Sequence, residues 1–115
     1  MTIFPPSLQV DLFENKLCGL TIFGEGTYNA EGITAIADAL RVTASLTSIG
    51  KGGLNLKNNS LGDKGWGEIF AGVCSSEESK ISSIDASKDW IGPEGAKLIA
   101  EALRTSVTAS LTEVR

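Results

Sequence analysis

This chain has no histidine, and its two cysteines, Cys18 and Cys74, stand far apart. Without an imidazole there is no Ser-His-Asp or Cys-His pair, no histidine acid–base step and no ordinary zinc site. The cysteines lack metal-ligand spacing and read as small buried apolar residues rather than redox or metal groups. No catalytic residue, cofactor or metal ligand is therefore assigned. Basic residues form no run, and the net charge is −4. A nucleic-acid surface needs a basic stripe that releases condensed counterions, so nucleic acid is excluded as a general partner. No apolar run approaches the roughly 20 residues of a membrane-spanning helix, which argues against membrane insertion. The first ten residues, MTIFPPSLQV, lack the basic and long apolar regions of a signal peptide. A cytoplasmic or other intracellular soluble compartment is the expectation, with a removed targeting presequence left open. At 115 residues the chain is one domain at most.

What the chain does contain is one helical template, three times. Its clearest copy spans residues 91–103. Pro93 and Glu94 suit a first helical turn. Proline has no N–H to leave unpaired there, and glutamate favours the positive end of the dipole. Ala96, Ile99, Ala100 and Leu103 then recur at helical spacing, and are expected to face Ile84, Ala86 and the preceding helix. Upstream, Gly32 and Ile33 lead into Ile36, Ala37 and Leu40, and Gly65 and Trp66 lead into Ile69, Phe70 and Val73. A short alternation precedes each copy. Val10 and Leu12 precede Asn15 and Leu17; Leu54 and Leu56 precede Asn59 and Leu61; Ile84 and Ala86 precede Asp89 and Ile91. Alternation predicts a short strand with one side inward. The asparagine turns the chain, and its amide can donate to carbonyls of the neighbouring turn. The helix then returns and buries its apolar stripe behind the strand.

These alternations match the core of L-x-x-L-x-L-x-x-N-x-L. Joined to N-x-L-G-x-x-G, an Ala/Leu-rich helix and the A-S-L-T junctions at 44–47 and 109–112, the pattern resembles the ribonuclease-inhibitor-like class of leucine-rich repeats. The resemblance covers nearly the whole chain from about Leu8. It implies an α/β solenoid of about three repeats, with parallel strands on a concave face and helices on the convex face. It also implies a protein partner on the concave face. Repeat one is placed at about 8–45 with an insertion at 18–28, repeat two at about 46–80 and repeat three at about 81–110. Leu111 and Val114 begin a fourth strand at 111–115.

Four places depart from the pattern. The insertion at 18–28 carries its own alternation, Leu20 and Ile22, so either Val10–Leu12 or Leu20–Ile22 is the strand of repeat one; the first matches more positions, including Asn15. Residues 50–53 are a glycine-rich connection or bulge. Asp89 replaces the turn asparagine, and an ionised carboxylate cannot donate. Residues 75–80 read as a solvated polar loop without an apolar anchor.

The glycine-rich piece 24–32 precedes a helix, but its third glycine position is Asn29, no P-loop lysine follows, and Glu25 and Glu31 would repel an anion. It reads as a tight insert with Asn29 as helix N-cap. Glu77 with Glu78, and Asp85 with Asp89, have no fixed basic or nucleophilic partner, so no enzyme is expected. Trp66 reads as a packing residue. Trp90 is open between a contact anchor and packing against the adjacent repeat.

Outward residues form three rows: Asp11, Asn55 and Asp85; then Phe13, Lys57 and Ser87; then Glu14, Asn58 and Lys88. This small mixed-charge surface suits protein contact. The candidate binding residues are Asp11, Phe13, Asn55, Lys57, Asp85, Lys88 and Trp90. The expected function is a non-catalytic interaction module, or scaffold, binding another protein. The alternative is a structural subunit or homo-oligomer that self-associates through uncapped terminal edges.

Overall fold

A computed structural model describes residues 9–20, 25–42, 46–50, 52–77, 79–87, 89–107 and 111–115. The three helical templates form α1 (Glu31–Leu40), α2 (Gly62–Cys74) and α3 (Pro93–Arg104). Gly92 is the N-cap of α3 and Pro93 opens it, so proline occupies the one turn where its missing N–H costs nothing. At α1 the cap differs from expectation. Ala30 holds the N-cap position, and Asn29 Oδ1, one residue earlier, accepts from the Glu31 N–H at 2.8 Å. A short Asx side chain can satisfy a first-turn donor from either place.

The alternations form β1 (Val10–Asp11), β2 (Ser48–Ile49), β3 (Leu54–Asn55), β4 (Ser83–Ile84) and β5 (Glu113–Val114). The described residues thus make an α/β fold of three helices and one five-stranded parallel sheet, ordered β1-β3-β2-β4-β5. The second unit supplies two adjacent strands. Ile49 pairs with Leu54 in a parallel bridge, although a parallel crossover ordinarily needs a dozen residues or more. The glycine-rich connection makes the short return possible. Gly50 (φ 139°) and Gly52 (φ 94°) take backbone angles that side chains disfavour, and a Cβ on Gly53 would lie 2.2 Å from Ser48 O. β2 therefore faces β4, while β3 faces β1. Apart from that split, spatial order follows chain order.

Val10, not Leu20, is the sheet residue of the first unit, pairing with Leu54. Leu20 instead bridges Gly26 in antiparallel fashion, so the described ends of the insertion lie side by side; Ile22 lies outside the described residues. Tyr28 ties the end of that insertion to the next unit by donating to Leu61 O at 2.9 Å. Burial, and then the neighbouring Cys18 thiol, push its phenol up to about 12.

The helices pack in the same sequence, α1 on α2 and α2 on α3. α1 and α2 come close because position 72 is glycine: a Cβ there would lie 2.4 Å from Ala37 O. Trp66, Ile69, Phe70 and Val73 of α2 are fully buried with Ile49, Leu54, Leu56 and Ile84 from the strand segments. Each such large side chain contributes about 1.5–3 kcal/mol relative to exposure. Both cysteines are free and buried.

Two expectations need correction. The α3 stripe is not sealed as α2 is. Ala96, Ala100 and Leu103 are exposed and Ile99 is half-buried; the buried α3 residues are Gly95 and Ala102. The neighbour at one end of the array accounts for this. Gly95 and Ala102 occupy the places of Gly65 and Gly72, the positions at which a helix meets the preceding unit. The second correction concerns residues 75–80. Ser79 is buried, and its Oγ accepts from the Ile81 N–H at 3.3 Å, so the segment has a polar anchor.

Candidate functional site: the strand exits

Each unit leaves the sheet through a tight turn, and these turns stack. Glu14 N–H donates to Lys57 O at 2.9 Å, bonding the first exit to the second. Asn59 forms the buried centre of this stack. Its amide nitrogen lies 2.7 Å from Leu12 O in the neighbouring turn and 3.1 Å from both Leu56 O and Lys57 O in its own. Its Oδ1 accepts from Asn15 N–H at 3.1 Å. Asn15 repeats the motif with a 3.0 Å bond to Leu12 O. The expected donation to the neighbouring turn is made by Asn59, whereas the Asn15 amide donates within its own turn, to Leu12 O and Phe13 O.

The first outward row has a structural task that its spacing did not reveal. Asp11 Oδ1 accepts from Phe13 N–H, Asn55 Oδ1 from Lys57 N–H and Asp85 Oδ1 from Ser87 N–H, all at 3.0–3.1 Å. One Asx turn thus closes each of β1, β3 and β4. The signal was present as an Asp or Asn at the same place in each unit. Asp85 is the most heavily engaged. Ser87 Oγ donates to it at 2.6 Å, and Lys57 Nζ lies 3.4 Å away while donating to Ser87 O and approaching Ser87 Oγ. The Ser87 hydroxyl, with the Ser87 N–H and Lys57, holds the Asp85 carboxyl below its ordinary range against the effect of burial.

The third turn is built differently. Asp89 cannot supply the amide's donors, and its Oδ2 is buried without a partner among the described residues. Burial pushes its carboxyl up, aided by Asp85 and opposed by Lys57 and the Asn58 N–H. The next residue, Trp90, has φ 57° and is 94% exposed. Packing against the adjacent repeat, one of the two sequence readings, is not seen: the indole has almost no cover. Ser60 takes the same backbone geometry at the corresponding place, φ 54°, with a small polar side chain. Phe13, 46% exposed, stands at the exit of the first strand. Lys88 lies outside the described residues.

The strand exits therefore bring together the Asp85–Ser87–Lys57 network, flanked by two exposed aromatics. Asp11 and Asn55 belong to the turns that support it. Elsewhere, a 420 Å³ cleft lies between α2 and α3, with an apolar floor from Gly67, Ala71, Cys74, Leu98 and Ala102 and charged residues Lys64, Glu68 and Glu101 also lining it. Burial pushes the Cys74 thiol up, which makes it a poor nucleophile. Among the described residues no cluster of three or more potential ligands could hold a metal, and no helix is long and apolar enough to cross a membrane. A scan of protein-family models, a search of curated proteins and a search of solved structures each found no match.

Proposed function

We propose that the chain is a short leucine-rich-repeat solenoid of the ribonuclease-inhibitor-like kind, and that it is a non-catalytic protein-interaction module. Support for the solenoid comes from three features together. Strand order follows unit order, the helices stack in the same order, and Asn59 bonds one turn to the next. The partner lies across the strand exits, with Trp90 as anchor, Phe13 as a second apolar contact and Lys57 and Asp85 as a fixed polar centre.

Trp90 carries this reading. Its indole is 94% exposed and sits on a left-handed backbone that a non-glycine residue occupies at a cost of about 1 kcal/mol. A large apolar side chain that buries almost nothing and sits on unfavourable backbone does little for the fold. Exposed tryptophan is the residue type most enriched at binding hot spots. Replacing residue 14, and separately residue 58, both exposed at the strand exits beside Phe13 and Trp90, with a photo-crosslinking amino acid in the protein's native cells tests the site. One protein captured from both positions, and not from exposed Ala35 on α1, is the expected result. Capture of unrelated proteins at the two positions, or equal capture at Ala35, would refute it.

A further inference from the structure

We infer that the outer face of α3 pairs with α3 of a second copy, antiparallel and about a twofold axis at Ile99. This deepens the self-association reading and does not depend on the strand exits. The first support is a comparison of equivalent positions. Val73 of α2 is fully buried, whereas its counterpart Leu103 is 44% exposed; Trp66 and Phe70 are buried, whereas Ala96 and Ala100 are exposed. In α1, Ile33, Ala37 and Leu40 are buried as well. A face that is sealed in two units stands open in the third.

The occupant follows from charge. Where α2 meets α3 it presents Gly67, against Leu98, and Cys74. At the equivalent places α3 carries Lys97 and Arg104. Glu94, Lys97, Glu101 and Arg104 are spaced by three, four and three residues, which sets them on one stripe of the helix. Their charges alternate in sign. An antiparallel copy centred on Ile99 puts Glu94 opposite Arg104 and Lys97 opposite Glu101, so one axis satisfies four pairs at once. A parallel copy puts like charge on like charge. The charge pattern of α3 is therefore complementary to itself in one orientation only.

The rearrangement is small. Within one chain Lys97 already pairs with Glu94 at 3.5 Å and Arg104 with Glu101, and all four groups are exposed. Such pairs are weak in isolation, so exchanging them across the axis loses little. Ala96, Ala100 and Leu103 supply the apolar seam beside the charged stripe. An interface of this kind is isologous. One helix pair falls below the roughly 1,200 Å² of standard interfaces, so association in the range of tens of micromolar is expected.

Sedimentation velocity of the full chain from about 1 to 300 µM reads the equilibrium directly. The wild-type chain should pass from monomer to dimer and stop there. Lys97→Glu/Arg104→Glu and Glu94→Lys/Glu101→Lys should each dissociate about 30-fold more readily, with unfolding midpoints matching the wild type. Mixed together, the two variants should form a heterodimer. Trp90→Gly should dimerise like the wild type, which separates this face from the strand exits. A monomer throughout the range, growth beyond the dimer, charge variants that self-associate like the wild type, or a mixture that stays monomeric would each overturn the proposal.

Discussion

The second and third units share a pattern but differ in what surrounds them. In the second, the turn residue is Asn59, buried and bonded on both sides, and the helix stripe from Trp66 to Val73 is sealed. In the third, the turn residue is Asp89, with one buried oxygen unpartnered among the described residues, and the stripe from Ala96 to Leu103 is largely open. The second unit holds the fold together. The third keeps the same backbone path while leaving an indole and a helix face uncovered. Within this chain, similarity of sequence pattern sets backbone path, whereas burial depends on which neighbours a unit has.

Removing a stripe residue from each helix probes that contrast most strongly. Phe70→Ala should lose about 4 kcal/mol of stability in urea unfolding, because it removes a fully buried ring from a packed core. Leu103→Ala should lose under about 1 kcal/mol. Equal losses would mean that the α3 face is sealed after all.

The turns give the next largest difference. Asn59→Ala should lose about 3 kcal/mol, since it removes the donor to the buried Leu56 O and the acceptor of the Asn15 N–H. Asp89→Asn should move the other way and gain about 1 kcal/mol, because an amide restores the missing donor. The gain must depend on pH. Burial raises the Asp89 carboxyl above 3.8, so its contribution to stability is fully present below that value and is lost as pH rises through the raised value. Asp89→Asn should therefore gain more at neutral pH than in acid. Asp85 acts with the opposite sign: its contribution holds above 3.8 and fades as pH falls through the lowered value, in both proteins alike. A gain independent of pH would remove Asp89 as its source.

The sequence made the repeating elements legible for a physical reason. Helical periodicity and strand alternation are local, so residues 31–40, 62–74 and 93–104 announce themselves, as do Asn15 and Asn59. Val10 gave the right strand because Asn15 lies at the correct distance from it. The parallel return through Gly50 and Gly52 was legible only as a bulge, since glycine permits that geometry without requiring it. The burial of α3 was misread because its stripe matches that of α2 position for position, and spacing carries no information about the next unit. The contact row was legible as a surface, but its Asx turns were not, because outward spacing leaves open whether a carboxylate faces solvent or its own backbone. Trp90 needed coordinates: its exposure is a property of the turn and not of the residue type.

The smallest effect on stability falls at Trp90. Trp90→Gly should leave the unfolding midpoint unchanged or raise stability by up to about 1 kcal/mol, because glycine accepts φ 57° without strain. The same variant gives the most direct test of the interaction reading. Once the protein captured at positions 14 and 58 is purified, calorimetric titration of wild type and Trp90→Gly compares their affinities. A loss of about 30-fold or more, about 2 kcal/mol, is predicted for a hot-spot tryptophan, with stability intact. An affinity that does not change when the indole is removed would contradict the assignment of the strand exits as the binding surface.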